Sequence, residues 1–232
     1  MALKDDLEAH VKAIALGMWP DPMPQGRVVP TADMLTFGNT GTYVDACVMY
    51  SDIHKSTAMV DQLHPHRAAE LYKAFLHCAA KITRANGGEV VAYDGDRAMS
   101  IFMGNDKADR AIKSAFQLHW AVLNIVNPPL ARAWPSSAYT LKHTVGIDMG
   151  RLLAAKTGVR DDNDIVWVGS AANHASKLNS FKGLDIDFPA RITDAVYNAT
   201  SWKSNANANF WPDRYGIDGI GYWRSRFWSS IN

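Results

Sequence analysis

The 232-residue, 25.6 kDa chain has the length of one domain, or of one domain with a modest extension. Hydrophobic residues make up 47% and charged residues 20%, enough apolar material to bury a core and too much for a disordered segment. With 24 Lys and Arg against 23 Asp and Glu the net charge is +1, which excludes a protein built round one broad basic nucleic-acid surface. Two cysteines, Cys47 and Cys78, are too few for a disulfide framework and lack a CxxC zinc spacing. No apolar run approaches the roughly 18–20 residues that span a bilayer, and the opening MALKDDLEAH is acidic where a secretory leader is basic and then greasy. These features predict a soluble cytoplasmic protein with no nucleic-acid partner and no direct membrane insertion.

Residues 2–18 place Leu3, Leu7, Val11, Ile14 and Leu16 at helical spacing, which predicts a short amphipathic helix. Pro20, Pro22, Pro24, Gly26 and Pro30 then break regular structure, so residues 1–40 read as an N-terminal helix with a Pro-rich linker and residues 41–232 as the main domain. TYVDACVMYSDI reads as a buried strand ending near Asp52. Pro65 to Asn86 carries the wide apolar stripe of a helix, stopped at Asn86-Gly87-Gly88. EVVAY and RAMSIF flank Asp94-Gly95, a strong signal for a tight hairpin. Asp106 to Asn127 predicts a second helix, with Asp106 as its cap and Pro128-Pro129 as its stop. LKHTVGIDMGRLLAA reads as strand, turn and strand, DIVWVG as a further strand, and Ser170 as the cap of a third helix. The tail holds short strands, a loop at NANANF and four tryptophans that suit packing better than base stacking. The order β-α-β-β-α-β, with strands appended, predicts an α+β, ferredoxin-like sheet with helices on one face.

Asp52 closes an apolar strand, where a carboxylate is a turn former, a helix cap or a ligand. Asp96, at the mouth of the hairpin, favours the ligand reading. Two carboxylates on neighbouring strands repel unless a cation lies between them. Two divalent metals about 3.5–4 Å apart are the recurrent solution at phosphoryl-transfer sites. Hard oxygen donors point to Mg²⁺ or Mn²⁺ rather than zinc. His64-Pro65-His66 reads as a solvated turn rather than a metal site.

SDIHKST, GGEVVAYDGDRAMSIF, VGIDMG and VGSAANHASKL, in that order over residues 44–180, together resemble the class III nucleotide cyclases. The resemblance implies that Asp52 and Asp96 hold two metals, with Ile53 lending a backbone carbonyl. It places Ser56 and Thr57 in the loop that holds the triphosphate, where plain helix capping is the alternative and helix N-termini hold phosphates in any case. It implies that Asn173 positions the ribose. Lys177 stands where the family has a transition-state arginine, which keeps the charge and loses the bidentate fork. A head-to-tail homodimer with shared sites also follows, because in this family the metal aspartates and the Asn/Arg helix come from opposite protomers.

The base-reading positions depart from purine cyclases. Ala92 and Val166 stand where adenylyl cyclases place a lysine and an aspartate. Tyr50, two residues before Asp52, shares its face of the strand. Arg97 follows Asp96 inside an apolar run, where an unpaired arginine is costly and a structural ion pair is the alternative reading. Tyr50 and Arg97 would shrink a base pocket and supply donors, which suits one ring better than two. This combination resembles the uridylate cyclases of bacterial Pycsar anti-phage systems. It implies UTP as substrate, cyclic UMP as product and a separate effector that senses it. Cytidylate cyclase, adenylate cyclase and a catalytically dead nucleotide-binding domain are the alternatives.

Overall fold

The computed structural model describes residues 2–135, 139–180 and 185–231. Its elements in chain order begin with α1 (Leu3–Leu16), a 3-10 turn (Ala32–Met34), β1 (Thr42–Ile53), α2 (Ser56–Gln62) and α3 (Pro65–Ala85). The hairpin β2 (Glu89–Asp94) and β3 (Arg97–Met103) follows, then α4 (Lys107–Ala121), a π-helical turn (Val122–Val126) and α5 (Asn127–Ala133). Next come β4 (His143–Val159), β5 (Asp162–Val168), α6 (Ser170–Ser180), β6 (Ala190–Thr193) and α7 (Asp194–Ala199). The chain closes with the short pair β7 (Ser204–Asn205) and β8 (Ala208–Asn209), then β9 (Arg214–Ile217) and β10 (Ile220–Ser225). Among the described residues no helix is long and apolar enough to cross a membrane.

The main sheet runs β2-β3-β1-β4-β6-β10-β9, with β5 paired to β4 alone. β1 is antiparallel to both β3 and β4, and β4 is parallel to β6. The first four strands in this order form the expected ferredoxin-like core. β1 is covered on both faces, which is why it reads as a continuous apolar run. Cys47, Met49 and Ile53 face α3 and α4, in a core that includes Leu71, Phe75, Phe102, Phe116 and Trp211. Val44, Ala46 and Val48 face the other way, toward Ala171, Ala172 and Ala175 of α6. The two core helices, α3 and α4, share one face as expected, and the appended α6 lies on the opposite one.

Four local expectations change. The Asp106 side chain makes no cap and instead accepts from Arg110 Nε at 2.8 Å. Pro128 and Pro129 do not stop the helix. They sit in the first turn of α5, where a missing N–H costs nothing, and the π-helical turn absorbs the change of axis. NANANF is not a plain loop, because Asn205 Oδ1 accepts from the backbone of Asn207 and Ala208 and closes a two-residue hairpin. GIDMG is not a turn but the middle of the 17-residue β4. Its glycines admit α6. A Cβ on Gly146 would meet the Ala175 carbonyl oxygen at 2.2 Å and the Asn179 amide nitrogen at 2.6 Å.

α1 forms as its spacing predicts and buries no residue. Asn39 Nδ2 ties its end to the body by donating to the carbonyls of Ile14 and Gly17, at 2.8 and 2.7 Å. In the tail, Trp202 and Trp211 pack on Phe116 and Trp223 stacks on Tyr197, while Trp228 stays half exposed.

Candidate active site

The last residues of β1 and the first of β3 lie side by side, with Ser51 opposite Ala98 and Tyr50 opposite Met99. Strand alternation therefore puts Tyr50, Asp52 and Arg97 on one face, the face that α6 covers. Arg97 Nη2 and Nε both donate to Asp52 Oδ2, at 3.1 and 3.2 Å, so the structural ion pair is present. Arg97 Nη1 reaches Ser176 Oγ of α6 at 3.5 Å. Asn179 Nδ2 reaches the same Asp52 oxygen at 3.4 Å, held by Thr144 Oγ1 donating to its own carbonyl oxygen at 3.0 Å.

Asp96 sits at the hairpin mouth and accepts from the Ile53 amide at 3.2 Å. Burial holds the Asp52 carboxyl well above the usual carboxylate range, Asp96 pushes it further, and Arg97 pulls it back without cancelling either. One Asp52 oxygen, Oδ1, is buried with no hydrogen-bond partner. Two neighbouring carboxyls, one with an unsatisfied buried oxygen, mark a position that suits an added cation. Two carboxylates and the Ile53 carbonyl are hard oxygen donors, which fit Mg²⁺ or Mn²⁺. Among the described residues no cluster of three His, Cys, Asp or Glu side chains offers another metal site.

Ser56 and Thr57 open α2, but the cap position belongs to Lys55, in left-handed backbone at φ 55. The amides of that first turn lack intrahelical partners and so are suited to phosphate oxygens. Beside them a hollow of about 190 Å³ is lined by His54, Lys55, Tyr139 and Lys142. His54 and Lys55 belong to the SDIHKST block, whereas Tyr139 and Lys142 lie outside the four blocks and only the fold brings them here.

Tyr50 is half-buried, donates its hydroxyl to Met99 Sδ at 3.2 Å, and has its ring centroid 5.8 Å from Arg97 Cζ. Burial raises its hydroxyl pKa. Ala92 pairs with Met99 across the hairpin and packs in the same small cluster. Val166, on β5, is 43% exposed.

Asn173 and Lys177 lie one turn apart on the exposed side of α6. Lys177 Nζ pairs with Asp218 Oδ2 at 2.7 Å, in the β9–β10 turn where Asp218 and Gly219 both take positive φ. The neighbouring His174 anchors the helix through Nδ1 to Asp148 Oδ2 at 2.9 Å, and Thr193 Oγ1 donates to the other Asp148 oxygen. The structure thus gathers Tyr50, Asp52, Ile53, Asp96 and Arg97 at one corner, places Ser56 and Thr57 just beyond, and sets Asn173 and Lys177 on the outer side of α6. Ser176, Asn179 and Asp218 were missed by sequence reasoning. Their polarity on a helix or turn carries no signal until the packing is known.

Residues 39–201 match the family described as the adenylate and guanylate cyclase catalytic domain. A Xanthomonas perforans protein described as uridylate cyclase is 39% identical over 233 residues, covering 100% of this chain and 94% of that protein. A Burkholderia cepacia protein of the same description is 38% identical over 225 residues, covering 96% of each. Among solved structures, the guanylyl cyclase Cya2 superposes with a TM-score of 0.69 at 17% identity, over 82% of this chain and 95% of that one. The adenylyl cyclase CyaB from P. aeruginosa gives 0.62 at 17% identity, over 80% and 95%. Likeness at that identity speaks to the fold, while the match over residues 39–201 and the full-length relatives settle the family: the chain belongs to the adenylate and guanylate cyclase catalytic domains, the class III nucleotide cyclases.

Proposed function

We propose that this chain converts UTP to 3′,5′-cyclic UMP and pyrophosphate. The observation that carries the reading is the corner where the Asp52–Asp96 carboxyl pair adjoins Tyr50 and Arg97 on one face of the sheet. Two relatives above 37% identity are described as uridylate cyclases. The side chains of Ala92 and Val166 carry no hydrogen-bonding groups for a purine edge.

In this reading the 3′-oxygen of the ribose attacks the α-phosphorus, and the bond from that phosphorus to the α–β bridging oxygen breaks to release pyrophosphate. Asp52, Asp96 and the Ile53 carbonyl would hold two divalent metals, Mn²⁺ or Mg²⁺. When bound, these supply a lowered pKa at the 3′-hydroxyl and neutralise charge on the leaving group. The backbone at Ser56 and Thr57 holds the triphosphate. Asn173 orients the ribose, and Lys177 answers negative charge at the α-phosphate. Asn173 and Lys177 face away from their own protomer's carboxylates, which supports a head-to-tail homodimer with two composite sites. Uracil presents O2 and O4 as acceptors, whereas cytosine has an amine at position 4. A donor-only arginine aimed there favours U over C. A product of this kind is a diffusible signal. The role that follows is anti-phage signalling in the cytoplasm through a separate effector that binds cyclic UMP.

The test is to incubate the purified protein with Mn²⁺ and each of the four nucleoside triphosphates and to identify products by mass. Cyclic UMP as the main product is expected. Cyclic CMP or cyclic AMP as the main product would reassign the substrate, and no cyclic product with any of the four would leave a nucleotide-binding domain without catalysis.

A further inference from the structure

The pairing of Arg97 with Asp52 conflicts with both roles assigned to these residues. Arg97 spends Nε and Nη2 on a single oxygen, Asp52 Oδ2, and Nη1 on Ser176. Asn179 approaches that oxygen as well, so Oδ2 is offered three donors while the buried Oδ1 receives none. A guanidinium so engaged has few donors left for a base. A metal cation held by the Asp52 carboxylate would lie close to the Arg97 guanidinium, which sits 3.1 Å from Asp52 Oδ2, and the two positive charges would repel. One of the two partners has to leave.

The surroundings say which. Asp52 is fixed in the middle sheet between β3 and β4, with its backbone paired on the β4 side to Thr144. Arg97 is the first residue of β3, with a long side chain that is one quarter exposed. Its Cζ already lies 5.8 Å from the Tyr50 ring centroid, on the same face of the sheet. Rotation about its side-chain bonds carries the guanidinium from the carboxylate onto the aromatic face, a favourable seat for a cation.

We propose that Arg97 is a two-position residue that couples the metal site to the base pocket. Without metal, its guanidinium stands in for the missing cation on Asp52. With metal bound it moves off Asp52 onto Tyr50, where its donors reach a pyrimidine carbonyl. The base-reading group is therefore available only in the metal-loaded site, and free UTP without metal meets a pocket whose donor is turned away. Such coupling is reciprocal, so a base that captures Arg97 also tightens the metal. The inference rests on the proposed reading of Asp52 and Asp96 as metal carboxylates and of Arg97 as the base reader.

Mn²⁺ binding to the nucleotide-free protein, followed by the EPR signal of free Mn²⁺, tests the competition. Arg97→Gln is expected to bind Mn²⁺ at least tenfold more tightly than wild type. Lys55→Gln, which removes a nearby charge from a residue outside the Asp52 pair, is expected to change it less than threefold. Equal tightening by both variants would mean a general field effect and would overturn the proposal, as would no tightening in Arg97→Gln. The movement itself is read from the Arg97 Nε–H resonance of ¹⁵N-arginine-labelled protein, assigned by its loss in Arg97→Lys. Its exchange with water should quicken on saturation with Mg²⁺ and slow again, at a new shift, on adding a non-cyclisable UTP analogue. A resonance indifferent to bound Mg²⁺ overturns the proposal even if the protein makes cyclic UMP. A resonance that responds to Mg²⁺ but not to the uridine analogue keeps the competition at Asp52 and overturns the coupling to the base.

Discussion

On the side of α3 and α4, Phe102 and Ile147 of the sheet pack with Phe75, Phe116 and Trp211, none with measurable exposure. Beneath α6 the core is aliphatic, with Val44, Ala46, Val48, Met99, Ile101 and Leu152 against the helix's alanines, and the border of that face leaves Val166 and Val168 at 43% and 54% exposed. Large aromatic side chains bury the most area and pack into one arrangement, so the first face carries most of the stability. Small side chains let α6 approach the sheet backbone closely, and the open border leaves room for ligand and partner. Stability and chemistry are thus divided between the two sides of one sheet. Substitutions on each side should fail in different ways.

The largest separation is expected from Asp52→Ala and Asp96→Ala, which remove a proposed metal ligand each. Cyclase activity should fall by roughly 10⁴-fold or more, comparable with losing a main catalytic group, while thermal unfolding stays within a few degrees of wild type. Activity within tenfold of wild type in either variant breaks the assignment. On the other face, Phe116→Ala deletes the ring on which Trp202, Trp211 and Phe227 pack. Urea unfolding should show a loss of about 3–5 kcal/mol, with KM little changed in the fraction that stays folded. A raised KM at full stability would show that this face also serves the site.

A smaller effect tests whether a second copy completes the α6 face. Inactive Asp96→Ala and inactive Asn173→Ala proteins, mixed and allowed to exchange, form mixed dimers with one intact composite site each. Random pairing of equal amounts restores about one quarter of wild-type activity. Mixed dimers seen by native mass spectrometry without any return of activity would place each site within one chain.

The smallest effect concerns pH and belongs to the aromatic face. His119 and His143 pack ring to ring, 5.3 Å apart, each with a buried nitrogen lacking a partner. Burial lowers the His119 pKa to about 4, and burial with the His119 and Arg191 charges lowers that of His143 well below its ordinary value. The unfolded chain takes up protons near pH 6.5 while the folded one refuses them. Stability is therefore full above that pH and declines as pH falls toward 4. At pH 5 each imidazole costs about 2 kcal/mol. Urea midpoints at pH 7.5 and pH 5 should show the drop, and His119→Leu should reduce it by about half. An unchanged drop in that variant would place the sensitivity elsewhere.

Much of this division was legible in the residues and part of it was not. The near-continuous apolar run in TYVDACVMYSDI shows that β1 is buried on both sides, and Asp94-Gly95 announces the hairpin that brings Asp96 toward Asp52. Which side the appended α6 covers is a long-range choice with no local signature, and only the assembled sheet settles it. The glycines of GIDMG read as a turn because their purpose, contact with a helix some 30 residues later, leaves no mark nearby. Pro128-Pro129 read as a stop because a π-helical turn before them has no compositional signal. Arg97 was visible as a charge that needs a partner. The strand register names Asp52 as that partner, and register is a property of the assembled sheet.

Gly146 bears on how such an enzyme can change its substrate. The carbonyl of Ala175 and the amide of Asn179 press so close to its Cα that no side chain fits between β4 and α6. The helix that carries Asn173 and Lys177 is therefore seated by backbone against backbone, a contact that side-chain substitutions elsewhere do not reach. Tyr50, Ala92 and Arg97 meet the proposed base pocket through side chains alone. In the proposed reading, base preference can be rewritten at Tyr50 and Ala92 while the seat of α6 stays fixed, so one scaffold can serve a purine or a pyrimidine without moving the helix that carries Asn173 and Lys177.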